Sequence, residues 1–149
     1  KAEEKAPLEQ KRAMKEARVK SGAAHAALVN QNGKCVGWCQ FGPHKELPRL
    51  HNARAYQKAL VTLPAWRITC FFSGKGHRGG GVASAALAGA VSQIKALGGG
   101  KVEGYPEDIE GRKATPAFLF NGALHMFDRQ GFDRTRKIGK HKWVVTLDL

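Results

Sequence analysis

Ten of the chain's 18 glycines fall between Gly74 and Gly104, and they sit inside a stretch whose order of elements can be read directly. Trp66 to Phe72 (WRITCFF) is apolar, β-branched and aromatic, the pattern of a buried strand. A glycine loop follows, Ser73 to Gly81. Ala83, Ala86, Leu87, Ala90, Val91, Ile94 and Leu97 then recur at helical spacing. Gly98-Gly99-Gly100 stops that helix, and Lys101 to Tyr105 forms a second short strand. A strand, a helix and a strand in one unit predict parallel strands joined by a right-handed crossover.

The flanks place this unit in a larger sheet. Residues 1–22 read as a highly charged helix with a thin apolar stripe, Leu8, Met14, Ala17 and Val19, lying on the surface, with Gly22 where a C-cap belongs. Ala26–Val29 and Cys35–Phe41 read as a hairpin turned by Asn30-Gln31-Asn32-Gly33. Asn52–Leu60 reads as a short helix, and residues 107–114 as a polar loop. Pro116–Arg129 reads as a helix with Gly131 as C-cap, and Phe132–Ile138 and Lys142–Leu149 as two closing strands. The expected architecture is α/β (α+β), one domain over residues 1–149, with a parallel pair inside an otherwise antiparallel sheet.

Composition narrows the chemistry. The 149 residues carry 25 cations against 12 anions, a net charge of +13, which favours anionic partners. Cys35, Cys39 and Cys70 make no paired disulfide framework and point to a reducing compartment, the cytoplasm. Cys35 and Cys39 read as small buried hydrophobes on strands rather than metal ligands. His25, His44, His51 and His141 show no ligand spacing, so no metal is expected. No stretch is apolar enough to span a bilayer, and the chain opens on Lys1, as a processed protein or a fragment would. The cations of the C-terminal hairpin, Arg129 to Lys142, read as a solvated basic face, and no nucleic-acid motif accompanies them.

The glycine loop, SGKGHRGGGVA, joins a buried strand to a helix N-terminus, where unpaired N–H groups and partial positive charge suit an anion. It is not a nucleotide P-loop: Gly74 and Gly79 have the right separation, but Gly80 and Gly81 stand where lysine and serine or threonine are needed. Gly74-Lys75-Gly76-His77-Arg78-Gly79 does satisfy the dinucleotide G-x-G-x-x-G. That motif should open a domain of further parallel strands, and here one helix and a hairpin follow.

Arg78-Gly79-Gly80-Gly81-Val82-Ala83 resembles the R/Q-x-x-G-x-G/A signature of the GNAT superfamily of N-acetyltransferases. The element order is similar to that family's from about residue 5 to the end, and Gly131-Phe132 falls where the family has its Gly-Phe pair. GWCQFG, ITCFF, VEGYPED and MFDRQGF look like a bacterial subgroup. The resemblance implies an acyl-CoA N-acyltransferase fold whose two parallel strands splay apart around acetyl-CoA. The family's first strand has no counterpart ahead of the hairpin. Backbone groups of Phe71, Phe72 and Ser73 would pair with the pantetheine. Gly79, Gly80, Gly81, Val82, Ala83 and Ser84 would hold the pyrophosphate, Arg78 would orient the loop, and Asn121 would add a contact. The reaction implied is transfer of an acetyl group to an amine, in the cytoplasm, with no membrane partner; a homodimer is compatible. The competing class is a basic binding module, RNA- or ribosome-associated, that keeps the fold without the catalysis.

The family's usual acid is a tyrosine on the last helix. Phe127 stands at that place here, and Phe120 at the place of the family's asparagine, with Asn121 displaced by one. The expectation is that thiolate departure needs little help and that Phe127→Tyr retains or raises activity. The candidate bases are Glu103, Tyr105 and His125.

Overall fold

The computed structural model describes residues 3–115 and 119–149. After a 3-10 turn at Glu3–Lys5, the elements are α1 (Leu8–Lys20), β1 (His25–Gln31), β2 (Lys34–Pro43), α2 (Ala53–Lys58), β3 (Trp66–Ser73), α3 (Val82–Ala96), β4 (Lys101–Gly104), α4 (Leu124–Arg129), β5 (Asp133–Lys137) and β6 (Trp143–Asp148). The strands form a six-stranded sheet in the order β1-β2-β3-β4-β6-β5. Only β3 and β4 run parallel among these pairs, as the strand-helix-strand reading requires.

Local chemistry sets the element ends. Asn32 and Gly33 both take positive φ, 51° and 76°, which gives the β1–β2 turn the twist that suits a hairpin. Gly22 takes φ +75° after α1, and the Gly22 and Ala23 N–H groups close onto the Val19 and Arg18 carbonyls in a Schellman pattern. None of the α1 residues is buried, so that helix lies on the surface as its thin apolar stripe implies.

Two apolar layers cover the sheet. On one face Ala86, Leu87, Ala90 and Ile94 of α3 and Leu124, Met126 and Phe127 of α4 pack on Cys39, Ile68, Phe71, Val102 and Val145. On the other, Tyr56 of α2 packs with Tyr105, Ile138 and Val144. Alternation along β6, Val144 to one side and Val145 to the other, is what a sheet buried on both faces demands.

Three expectations change. The helix expected over Pro116–Arg129 begins only at Leu124; residues 116–118 lie outside the described residues. The backbone of 119–124 is taken by neighbours instead. The Phe120 carbonyl accepts the Phe71 N–H at 2.8 Å, the Gly122 carbonyl accepts the Glu107 N–H at 3.0 Å, and the Leu124 N–H donates to the Glu107 carbonyl at 2.8 Å. Gly122 turns this segment with φ +87°, which a helix does not allow. Cys35 is exposed rather than buried, because it stands next to the hairpin turn, beyond the Gly37↔Ser73 pair where β3 ends. Cys39 is buried, and burial pushes its thiol pKa up. Lys142 is 6 % exposed rather than solvated. It is held by the Asn121 Oδ1 at 2.7 Å, the Tyr105 carbonyl at 3.4 Å and Glu107 Oε1 at 3.7 Å. Burial lowers its pKa, while Glu107 works the other way.

Candidate active site at the parted strands

β3 and β4 pair only from Trp66↔Val102 to Ile68↔Gly104. β4 then ends, and β3 runs on from Thr69 to Ser73 with no β4 partner. On its other edge β3 carries a bulge: Gln40 pairs with Cys70 but Phe41 with Ile68, which leaves Thr69 as the extra residue. The sheet is thus parted at its middle, and backbone groups of β3 face the gap.

The glycine loop closes one end of that gap. Gly76, Gly79 and Gly81 take φ of +83°, +79° and +82°, a left-handed backbone that side chains rarely adopt. The first helical hydrogen bond of α3 joins the Ala85 N–H to the Gly81 carbonyl. The N–H groups of Val82, Ala83 and Ser84 therefore have no partner within the helix. A cleft of about 760 Å³ lies against them. Its walls are Phe71, Phe72 and Ser73 of β3, Arg78, Gly79, Gly81, Val82, Ala83 and Ser84 of the loop and α3, and His125 and Arg129 of α4. Gly80 stands inside the same loop. Phe72 is half-exposed at the cleft, its ring stacked on Trp38 with centroids 5.8 Å apart.

The other candidates lie elsewhere. Asn121 and Tyr105 line a smaller pocket of about 200 Å³ with Gln40, Arg49, His51, Thr69 and Cys70. Phe120 borders both this pocket and the large cleft, so it stands between them. Glu103 is 2 % exposed beneath Tyr105. Its Oε2 accepts the Tyr56 hydroxyl at 2.8 Å and the Tyr105 hydroxyl at 2.9 Å. Arg67 Nη2 approaches the Tyr56 hydroxyl at 3.4 Å, and its guanidinium lies 5.4 Å from that ring's centre. Burial, and then the Glu103 charge, push the Tyr105 phenol pKa far up, so Tyr105 stays protonated. His125 shares the large cleft with the loop, away from Tyr105 and Glu103.

The structure thus brings together the cofactor candidates and His125 on one side, and Tyr105 and Glu103 on the other. Asn121 is not at the cleft: its amide nitrogen donates to the Thr69 carbonyl and its oxygen accepts from Lys142. Sequence reasoning missed Arg129, although its place four residues after His125 puts both on one helix face. It also missed Arg67, Tyr56 and Lys142, whose burial no local pattern signals.

Phe127 is fully buried between Phe71 and Phe132, with ring centroids 5.9 and 5.1 Å away. A Cβ built on Gly104 would lie 2.9 Å from its Cζ, so the ring stands hard against the β4 backbone. A tyrosine here would place its hydroxyl inside the packed core, not among the residues that line the cleft, where the expectation that Phe127→Tyr retains or raises activity needs it. Phe127→Tyr is expected to lower stability by about 1–3 kcal/mol through overpacking and an unpaired hydroxyl. Thermal unfolding checks it, and an unchanged melting temperature would show that the core yields there.

No protein-family model and no curated protein matches the chain, whereas solved structures do. A ribosomal-protein-alanine N-acetyltransferase from Brucella melitensis superposes with a TM-score of 0.59 over 97 % of this chain and 80 % of its own, at 18 % identity. The fold is that of the GNAT N-acetyltransferases. An N-acetyltransferase from Staphylococcus aureus Mu50 gives 0.56 over 96 % of this chain and 78 % of its own, at 16 % identity. The yncA acetyltransferase of Salmonella typhimurium, solved with its cofactor acetyl-CoA, gives 0.57 over 97 % and 75 %, at 17 % identity. At these identities the likeness concerns the GNAT fold alone. Among the described residues no group of three or more His, Cys, Asp or Glu is placed to hold a metal, and no helix is long and apolar enough to cross a membrane.

Proposed function

We propose that this chain is an acetyl-CoA-dependent N-acetyltransferase. The observation that carries the reading is the parting of β3 from β4 beyond Ile68, directly ahead of a glycine loop whose helix start borders the cleft. The residues fit the cofactor. The N–H groups of Val82, Ala83 and Ser84, with Arg78, suit a pyrophosphate. The edge of β3 left by β4 suits the amide arm of a pantetheine, as an added strand would. Acetyl-CoA would supply the thioester whose acetyl group is transferred.

The chain's own groups then divide the work. A backbone N–H of β3 would be the donor to the thioester oxygen, where negative charge develops. The acceptor amine enters from the smaller pocket. An ammonium cannot attack until it loses a proton. Tyr105 sits in that pocket with its O–H directed onto Glu103, so a proton accepted at the Tyr105 oxygen can be matched by one passed to Glu103 Oε2. His125 and Arg129 lie on the cofactor side, where they can serve the departing thiolate or the phosphates.

The test is direct. Acetyl-CoA and CoA should each raise the melting temperature, and a screen of amines and peptide N-termini should release free thiol from acetyl-CoA. Stabilisation by a short RNA with no response to CoA would instead favour a basic binding module, which the +13 net charge would suit.

A further inference from the structure

The edge of β3 that the proposed cofactor needs is already in use. The Phe71 N–H, which points into the gap, donates to the Phe120 carbonyl at 2.8 Å. Two residues earlier, the Thr69 carbonyl accepts the Asn121 amide. Residues 119–122 form a turn, closed by the Gly122 N–H on the Leu119 carbonyl at 2.8 Å, that sits against β3 in the place left by β4. The segment is pinned from behind. Lys142 Nζ donates to Asn121 Oδ1 at 2.7 Å and stands 5.3 Å from the centre of the Phe120 ring. The Gly122 carbonyl is tied to the Glu107 N–H. The fit is incomplete, since the Thr69 hydroxyl is buried with no hydrogen-bond partner among the described residues.

We propose that residues 119–122 form a latch that closes the β3 edge, and that acetyl-CoA engages Phe71 by displacing the Phe120 carbonyl. This deepens the acetyltransferase reading and rests on it. The two states exchange one acceptor for another on the same N–H, so Phe71 stays paired in both. Asn121 is the hinge pin: it ties the latch to β3 with one end and to buried Lys142 with the other. A ligand that binds only the open state binds more weakly by the fraction of molecules that are open.

The sign of one substitution separates the latch from an ordinary cofactor contact. If Asn121 held CoA, Asn121→Ala would weaken binding. As a latch pin, its loss raises the open fraction, and CoA should bind about tenfold more tightly by calorimetry. The second measurement uses the unaltered protein. On saturation with CoA, amide hydrogen exchange should rise at Glu107, whose N–H is bonded to the Gly122 carbonyl in the closed arrangement, while Phe71 stays protected. Weaker or equal CoA binding by Asn121→Ala, or unchanged or slower exchange at Glu107 with CoA bound, overturns the latch while leaving the acetyltransferase reading in place. Failure of both proteins to bind CoA overturns the two together.

Discussion

Gly81→Asp should abolish useful CoA binding while leaving the chain folded. Gly81 immediately precedes α3 with φ +82° and ψ 8°, and nothing lies within 4 Å of the place a Cβ would take. The side chain would therefore meet open space, and the cost to folding is the left-handed backbone alone, about 1 kcal/mol. The cost to binding is larger. A carboxylate there stands beside the N–H groups that would receive the pyrophosphate, adding repulsion and competing for the same donors. About 2–3 kcal/mol is expected, roughly a hundredfold in Kd. Gly81→Asn carries the same backbone strain without the charge and should lose far less. Calorimetry on the pair separates charge from conformation. Equal CoA affinity for wild type and Gly81→Asp would remove the pyrophosphate from this loop.

The second large effect is expected at Glu103, and it should be shared with Tyr105. Glu103 is sealed in the sheet, and the Tyr105 hydroxyl joins it to a residue that lines the smaller pocket. Glu103→Gln keeps the shape but cannot take a proton. Tyr105→Phe keeps the packing but cuts the route. Each should lower kcat/KM about 10²- to 10⁴-fold, the usual worth of general-base assistance. The double variant should be little worse than either single one, because the two act as a unit. The KM for acetyl-CoA should hardly move, since the cofactor residues line the other cavity. Thermal unfolding runs alongside, because Glu103→Gln also removes a charge buried near Arg67. Full activity in Tyr105→Phe with loss in Glu103→Gln would break the relay. Full activity in both would leave deprotonation to another group or to the amine's own ionisation.

Much of this site is legible before any folding is considered. A β-branched and aromatic strand, five glycines in the eight residues from Gly74 to Gly81, and apolar residues at helical spacing each have a narrow set of allowed backbones. Together they predict the parallel β3–β4 pair, the crossover helix and an anion-binding loop. The parallel pairing is borne out in the sheet, and Gly76, Gly79 and Gly81 use the left-handed backbone that glycine allows. Residues 119–124 are the counterexample. Their composition allows a helix. Yet the Phe71 N–H, unpaired once β4 has ended, offers the Phe120 carbonyl a stronger claim than one more helical turn could.

By itself, then, the sequence determined the elements whose chemistry is local: the turn at Asn32-Gly33, the cap at Gly22, the glycine loop and the amphipathic α3. Only the tertiary structure decided which groups those elements would leave unpaired and what would reach them. Lys142 and Arg136 look alike in a run of cations, but Lys142 is drawn in to satisfy Asn121, the Tyr105 carbonyl and Glu107, while Arg136 lies over the Tyr56 ring at 5.0 Å. Cys35 and Cys39 share a strand, and their distances from its end separate exposed from buried. Burial and hydrogen-bond satisfaction depend on partners far apart in the chain, Phe71 with Phe120 and Glu103 with Tyr56, and no local pattern of residues encodes that meeting.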